Sequence, residues 1–108
     1  MKSGDVILLD FPFSDLSGSK SRPAVIVANA GGNDFVACQV TRNATIDADA
    51  IQLSAESFSA GGLRVVSFVR PGKLFTANRI VITKLIGRVT DLVKNQIKEA
   101  VVKVIRRE

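Results

Sequence analysis

Apolar residues along the chain fall into short runs rich in β-branched side chains, separated by clusters of Gly, Ser, Asn and Asp. Val6-Ile7-Leu8-Leu9-Asp10 predicts a first strand. Phe11-Pro12-Phe13 marks its exit, because Pro12 has no N–H to give to a ladder, and Phe11 and Phe13, alternating by one, are expected to face the core. The polar segment Ser14–Ser21 predicts a mobile loop. Arg22-Pro23 opens a second strand, Ala24–Ala28, and Phe35–Thr41 forms a third. The turn signals of Asn29-Ala30-Gly31-Gly32-Asn33-Asp34 join these two into a hairpin. Both runs are apolar at nearly every position, so they are expected to be central and covered on two faces. Arg42–Asp47 is a polar loop, and Ala50–Leu53 alternates as a short strand would. After the Gly61-Gly62 turn, Leu63–Val69 reads as a strand broken by Pro71-Gly72, with Leu74-Phe75-Thr76 either a short extension or a turn. Ile80–Ile86 is the last strong apolar run.

The period then changes. Val93, Ile97, Ala100, Val101 and Val104 share one face of a helix. Thr90 or Asp91 is placed to cap it, and Lys103, Arg106 and Arg107 suit the negative end of its dipole. There is no internal repeat or linker, so 1–108 is expected to be one domain. Short strands with one terminal helix predict a mainly β fold, a small curled sheet or barrel with the helix packed on it.

Composition narrows the chemistry. Apolar residues make up 46% of the chain, which is a globular composition. The single cysteine, Cys38, lies in an apolar run and is expected to be a buried structural thiol, and neither an internal disulfide nor a cysteine-rich zinc site is possible. The N-terminus is polar, and Val6–Leu9 is too short for a secretory or membrane-spanning segment, so a cytoplasmic protein is expected. Formal net charge is +5, from 15 Lys and Arg against 10 Asp and Glu, a balance that favours polyanionic partners. Histidine is absent. A Ser-His-Asp triad and a His-ligated zinc site are thereby excluded, and any chemistry must come from Arg, Lys, carboxylates or hydroxyls. The acidic residues are scattered through loops with no spacing that argues for Mg²⁺. Phe is the sole aromatic type, so a base-stacking platform is not evident.

Two positions could carry function together. Pro23 holds the preceding Arg22 in extended backbone at a strand mouth, where a guanidinium can grip a phosphate through two parallel hydrogen bonds. Thr41 ends the third strand. If the hairpin forms, the start of one strand faces the end of the next, and Arg22 and Thr41 lie at the same end of the ladder. A hydroxyl beside a guanidinium fits a phosphate-centred site. Taken alone, each has an ordinary reading: Arg22 as an edge arginine in a surface ion pair, Thr41 as a routine strand former. The basic scatter of Lys20, Arg42, Arg64, Arg70, Lys73, Arg79, Lys84 and Arg88 can likewise be solvated surface charge.

The block from Gly4 to Phe13, followed by a Gly/Ser loop and Ser21-Arg22-Pro23-Ala24-Val25-Ile26-Val27, resembles the opening of MazF/PemK-type toxins. The strand ending in Thr41 resembles that family's second block, and Ile86-Gly87-Arg88-Val89 running into a helix resembles its end. The resemblance implies an SH3-like barrel with a C-terminal helix, usually a homodimer. It implies a toxin of a type II toxin–antitoxin system that cuts single-stranded RNA through the ribose 2′-hydroxyl, without a metal or other cofactor, leaving a cyclic phosphate. It further implies an antitoxin partner that blocks the site and joins the toxin in a DNA-binding complex. Arg22 and Thr41 match the family's catalytic positions: Arg22 would stabilise transition-state charge and Thr41 would orient the phosphate. Lys20, Ser21, Arg42, Arg70 and Lys73 are the expected RNA contacts. The chain departs from the family at Arg42, where a small residue is common, and at Val69–Leu74, where the family often carries an acidic, Gln-containing segment. The competing readings are a non-catalytic RNA- or antitoxin-binding module on the same fold, and a structural protein with an incidental basic surface.

Overall fold

The structure, a computed structural model, describes residues 1–11, 20–43, 45 and 47–108, with only the backbone described for Phe11 and Lys20. The strands are β1 (Asp5–Phe11), β2 (Lys20–Gly31), β3 (Asp34–Thr41), β4 (Ile51–Leu53), β5 (Phe58–Gly61), β6 (Ser67–Asn78) and β7 (Ile82–Val89), and the helix α1 spans Asp91–Arg106. Short 3-10 turns at Ala55–Ser57 and Arg79–Val81 precede β5 and β7. All seven strands form one antiparallel sheet in the order β4-β6-β3-β2-β1-β7-β5.

That order forces the sheet to curl. Its outermost strands, β4 and β5, are separated in sequence only by residues 54–57. A flat sheet of this width would hold its edges about 29 Å apart. The chain from Leu53 to Phe58 reaches at most about 18 Å. The edges must therefore swing toward each other, and the bulges in the β1–β7, β2–β3 and β3–β6 ladders supply the bending. The result is the expected mainly β, curled half-barrel with a terminal helix.

The predicted hairpin is present, with Ala24 opposite Gln39 and Ile26 opposite Ala37. Its strands are central and covered on both faces. Val25, Val27, Cys38 and Val40 join Val6, Leu53, Val69 and Val89 in one core, closed by Ile97 and Val101 of α1. Ala24, Ile26, Phe35 and Ala37 join Ile7, Leu9 and Ala77 in a second core on the opposite face. The predicted helical face is the buried one, and of the two possible caps Thr90 is used, its hydroxyl accepting from the Val93 N–H at 3.2 Å. Cys38 is fully buried, and burial pushes its thiol up to about 12.

Several boundaries differ from the sequence expectation. Lys20 and Ser21 belong to β2, because Phe11 and Asp10 of β1 give them ladder partners. The rest of the loop expected over Ser14–Ser21, with Pro12 and Phe13, lies outside the described residues. Leu63–Val66 is not strand; β6 starts at Ser67, where pairing with both β3 and β4 becomes available. Pro71-Gly72 does not end it. Pairing jumps from Val40–Val69 to Cys38–Leu74, so Pro71 sits in a bulge where its missing N–H costs no ladder bond. Leu74-Phe75-Thr76 is the continuation of that strand. Ile80 and Val81 are not strand either. The Asn78 side chain accepts from the Ile80 N–H and leaves Ile80 88% exposed in a turn. Among the described residues no helix is long and apolar enough to cross a membrane.

Candidate functional site

Following the β2–β3 register two residues past Ala24–Gln39 brings Arg22 level with Thr41. Both line a pocket of ≈ 340 Å³ at the strand ends, together with Ser21, Pro23, Val40, Arg42, Asn43 and Ser67. The pocket wraps the sheet. By strand alternation Pro23, Val40 and Ser67 belong to the face carrying the α1 core, whereas Arg22 and Thr41 belong to the other.

Arg22 is anchored by its backbone in the β1–β2 ladder opposite Leu9. Its side chain is exposed and makes no hydrogen bond or ion pair with another described residue. Thr41 is half-buried, and its hydroxyl oxygen accepts from the Asn43 N–H at 3.2 Å. That bond fixes the turn out of β3 and leaves the hydroxyl proton to donate. Asn43 in turn accepts from the Thr45 N–H at 3.0 Å and the Thr45 hydroxyl at 2.7 Å. Arg42 is exposed and, among the described residues, has no partner. Ser21 donates its hydroxyl to Asp10 at 3.2 Å. Among the described residues no carboxylate lines the pocket, so the two guanidiniums and the donor-ready hydroxyl suit an anion.

The expected RNA contacts divide. Ser21 and Arg42 line the pocket with Arg22 and Thr41. Lys20 sits beside them in the backbone of β2, its side chain outside the described residues. Arg70 and Lys73 are not brought there. They lie in the β6 bulge, where Arg70 pairs with Asp47 at 3.7 Å and its Nε is buried without a hydrogen bond. Ser67 was missed by sequence reasoning. It reaches the pocket only because β6 pairs with β3 through Phe68 and Thr41, a long-range pairing with no local signature. Cys38 has neither the exposure nor the thiolate character of a nucleophile. Among the described residues no group of three or more His, Cys, Asp and Glu could hold a metal ion.

The sequence model of the PemK-like, MazF-like toxins of type II toxin–antitoxin systems matches residues 2–105. No curated protein sequence matches the chain. Among solved structures, the MazE–MazF complex of Deinococcus radiodurans superposes with a TM-score of 0.78 at 17% identity, covering 100% of this chain and 98% of that one. The Mycobacterium tuberculosis toxin MazF-mt6 superposes at 0.74 and 15% identity, covering 96% and 98%. An endoribonuclease in complex with its cognate antitoxin, from a mycobacterial species, superposes at 0.72 and 18% identity, covering 97% and 92%. At these identities the structural likeness establishes the fold.

Proposed function

The chain belongs to the PemK-like, MazF-like toxins of type II toxin–antitoxin systems, and from that premise we infer that it is an endoribonuclease cutting single-stranded RNA in the pocket shared by Arg22 and Thr41. The observation that carries this reading is the hairpin register, which sets a guanidinium and a hydroxyl with its proton to spare on one pocket, where among the described residues the guanidinium has no partner and no carboxylate lines the wall.

The ribose 2′-oxygen attacks the adjacent phosphorus, forming the P–O2′ bond as the P–O5′ bond breaks. The 2′-hydroxyl proton leaves to solvent and the departing 5′-oxygen takes one up. The products are a 2′,3′-cyclic phosphate and a 5′-hydroxyl. Negative charge grows on the non-bridging oxygens in the transition state, and a fixed guanidinium stabilises it where it develops. Arg22 acts as that electrostatic anchor; an arginine deprotonates too reluctantly to serve as an easy base. Thr41 donates its hydroxyl to a phosphate oxygen and holds the phosphorus in line. Ser21 and Arg42 hold the neighbouring backbone, and Lys20, Arg70 and Lys73 add longer-range attraction for the strand. The protein works in the cytoplasm as a homodimer, and a cognate antitoxin, such as accompanies two of the structural relatives, restrains it by covering this pocket.

The test is incubation of the purified protein with single-stranded RNA in EDTA. Scission leaving a cyclic phosphate, abolished by Arg22→Ala or Thr41→Ala, supports the enzyme. Intact RNA across diverse sequences, with binding retained, would leave a non-catalytic binding module instead.

A further inference from the structure

A serine or threonine hydroxyl has one proton and two lone pairs, and whatever its neighbours occupy is lost to a ligand. Around the pocket those neighbours leave almost every side chain as a donor. Thr41 accepts from the Asn43 N–H at 3.2 Å and keeps its proton. Asn43 accepts twice from Thr45 through Oδ1, at 3.0 and 2.7 Å, so its amide NH₂ is what it still offers. Arg22 and Arg42 can only donate. The Ser67 hydroxyl gives its proton to the Val65 carbonyl at 3.0 Å, but the residue is buried.

Ser21 is the opposite case. It stands directly across the β1–β2 ladder from Asp10, so the two side chains share a face. Its one proton goes to Asp10 Oδ1 at 3.2 Å. Ser21 is exposed and lines the pocket, whereas Asp10 is half-buried and does not. What Ser21 turns toward a ligand is therefore a pair of lone pairs. Among the described side chains of the pocket it is the one exposed hydroxyl that can only accept.

An ionised phosphate diester carries acceptors alone and has no use for such an oxygen. The ribose 2′-hydroxyl is the donor that an RNA backbone carries and a DNA backbone lacks. We propose that Ser21, held as an acceptor by Asp10, receives the hydrogen bond of the attacking ribose 2′-hydroxyl and so makes the pocket select ribose over deoxyribose. The proposal rests on the RNA-cleaving reading and adds the placement of the strand to it. Thr41 and Arg22 take the oxygens of the scissile phosphate, and Ser21 takes the 2′-hydroxyl of the sugar whose 3′-oxygen bears it. Ser21 and Arg22 are adjacent in β2 and leave it on opposite faces, and the pocket wraps the edge between them. The bond to Ser21 turns the hydroxyl proton away from phosphorus and leaves an O2′ lone pair directed at it. Asp10 touches no ligand; it is a positioning residue that acts by keeping the Ser21 proton.

The experiment measures the affinity for a single-stranded RNA whose cut site has been mapped, and for the same strand with one 2′-deoxy sugar at that site. The proteins carry Arg22→Ala, so that the RNA stays whole. The Arg22→Ala parent should bind the all-ribo strand roughly three- to tenfold more tightly than the deoxy strand. Adding Ser21→Ala should bring that ratio close to one by removing the oxygen. Adding Asp10→Ala should do the same by returning the proton to Ser21. Asp10→Asn keeps an oxygen for the Ser21 proton and Ser21→Thr keeps the hydroxyl, so both should hold the ratio. A merely structural defect would weaken the two strands alike and leave the ratio where it was. A ratio near one in the parent, or a ratio that survives Ser21→Ala, would overturn the proposal. So would an equal loss on both strands, which would put Ser21 on a phosphate or a base, and an undiminished ratio in Asp10→Ala would overturn the role of Asp10. Failure of the cleavage reading is seen separately, as RNA left whole by the wild type. In that event the ratio is measured on the wild type with all-ribo and all-deoxy strands of one sequence, and the same outcomes decide.

Discussion

Arg22 and Thr41 are ordinary residues made unusual by their neighbours. Arg22 owes its position to Pro23 and the β1–β2 ladder, and its availability to the lack of any described partner. Because its side chain is exposed, its loss should leave the melting temperature nearly unchanged while removing transition-state stabilisation. Arg22→Lys keeps the charge but not the planar fork, so it should recover only part of the activity lost in Arg22→Ala. At Thr41, Ser should retain most of the cleavage rate and Val should lose it, because only the hydroxyl donates. Cleavage rates of the four variants, beside their melting curves, check both expectations. Cys38 carries a different prediction. Its folded value lies near 12, above the ordinary 9.0, so between those values the unfolded chain releases a proton that the native chain keeps. This contribution to stability is complete below about pH 9 and is lost as pH rises toward 12. Urea midpoints measured on the wild type and Cys38→Ala across this range should fall more steeply for the wild type.

Each element contributes its own constraint on the site. The polar segment leaving β3 is tied to the end of α1 by Arg107, which forms two hydrogen bonds with Asp49 at 2.9 and 3.0 Å, and to β6 by Asp47–Arg70. The Arg107 hydrogen bonds hold the Asp49 carboxyl below its ordinary value. Their contribution is present above the ordinary carboxylate range and is lost as pH falls through the lowered value. Arg107→Ala should flatten the acid limb of the stability profile and speed amide exchange around residues 47–50. At the opposite edge, Gly61→Ala would drive a Cβ into the Ile86 carbonyl at a positive φ. That should cost about 2 kcal/mol or more and lower the melting temperature by roughly 10 °C. Neither constraint could be read from sequence. The Gly61-Gly62 pair signals a turn but not what the turn abuts, and Asp49 and Arg107 lie far apart in the chain. Pro71-Gly72 misled for a related reason: it breaks a strand unless the partner strand tolerates a bulge, and the partner is chosen by topology. By contrast, the β2–β3 hairpin and the face of α1 are local patterns, so the juxtaposition of Arg22 with Thr41 and the helical core positions were legible in advance.

The whole molecule is a sheet bent until its edges nearly meet, with a different core on each face. That arrangement accounts for β2 and β3 being apolar on both sides, and it exposes the strand ends that carry the pocket. α1 closes one core through Ile97 and Val101. Ile97 is 1% exposed, and truncating it to Ala should cost about 2–5 kcal/mol, seen as a lower urea midpoint, without altering the residues of the pocket. The absence of histidine, which first argues against enzyme chemistry near neutral pH, fits a mechanism that asks for charge stabilisation and positioning rather than a tuned imidazole.

The central claim is that Arg22 and Thr41 act on one phosphate as a unit. The most direct measurement is the single-turnover rate of cleavage of one RNA, in EDTA, by the wild type, Arg22→Ala, Thr41→Ala and the double variant. The account predicts that each single change slows scission by roughly 100-fold or more, and that the double variant is little slower than the slower single, as for residues that cooperate in one transition state. A wild-type rate in either single variant, or effects that multiply in full, would contradict it.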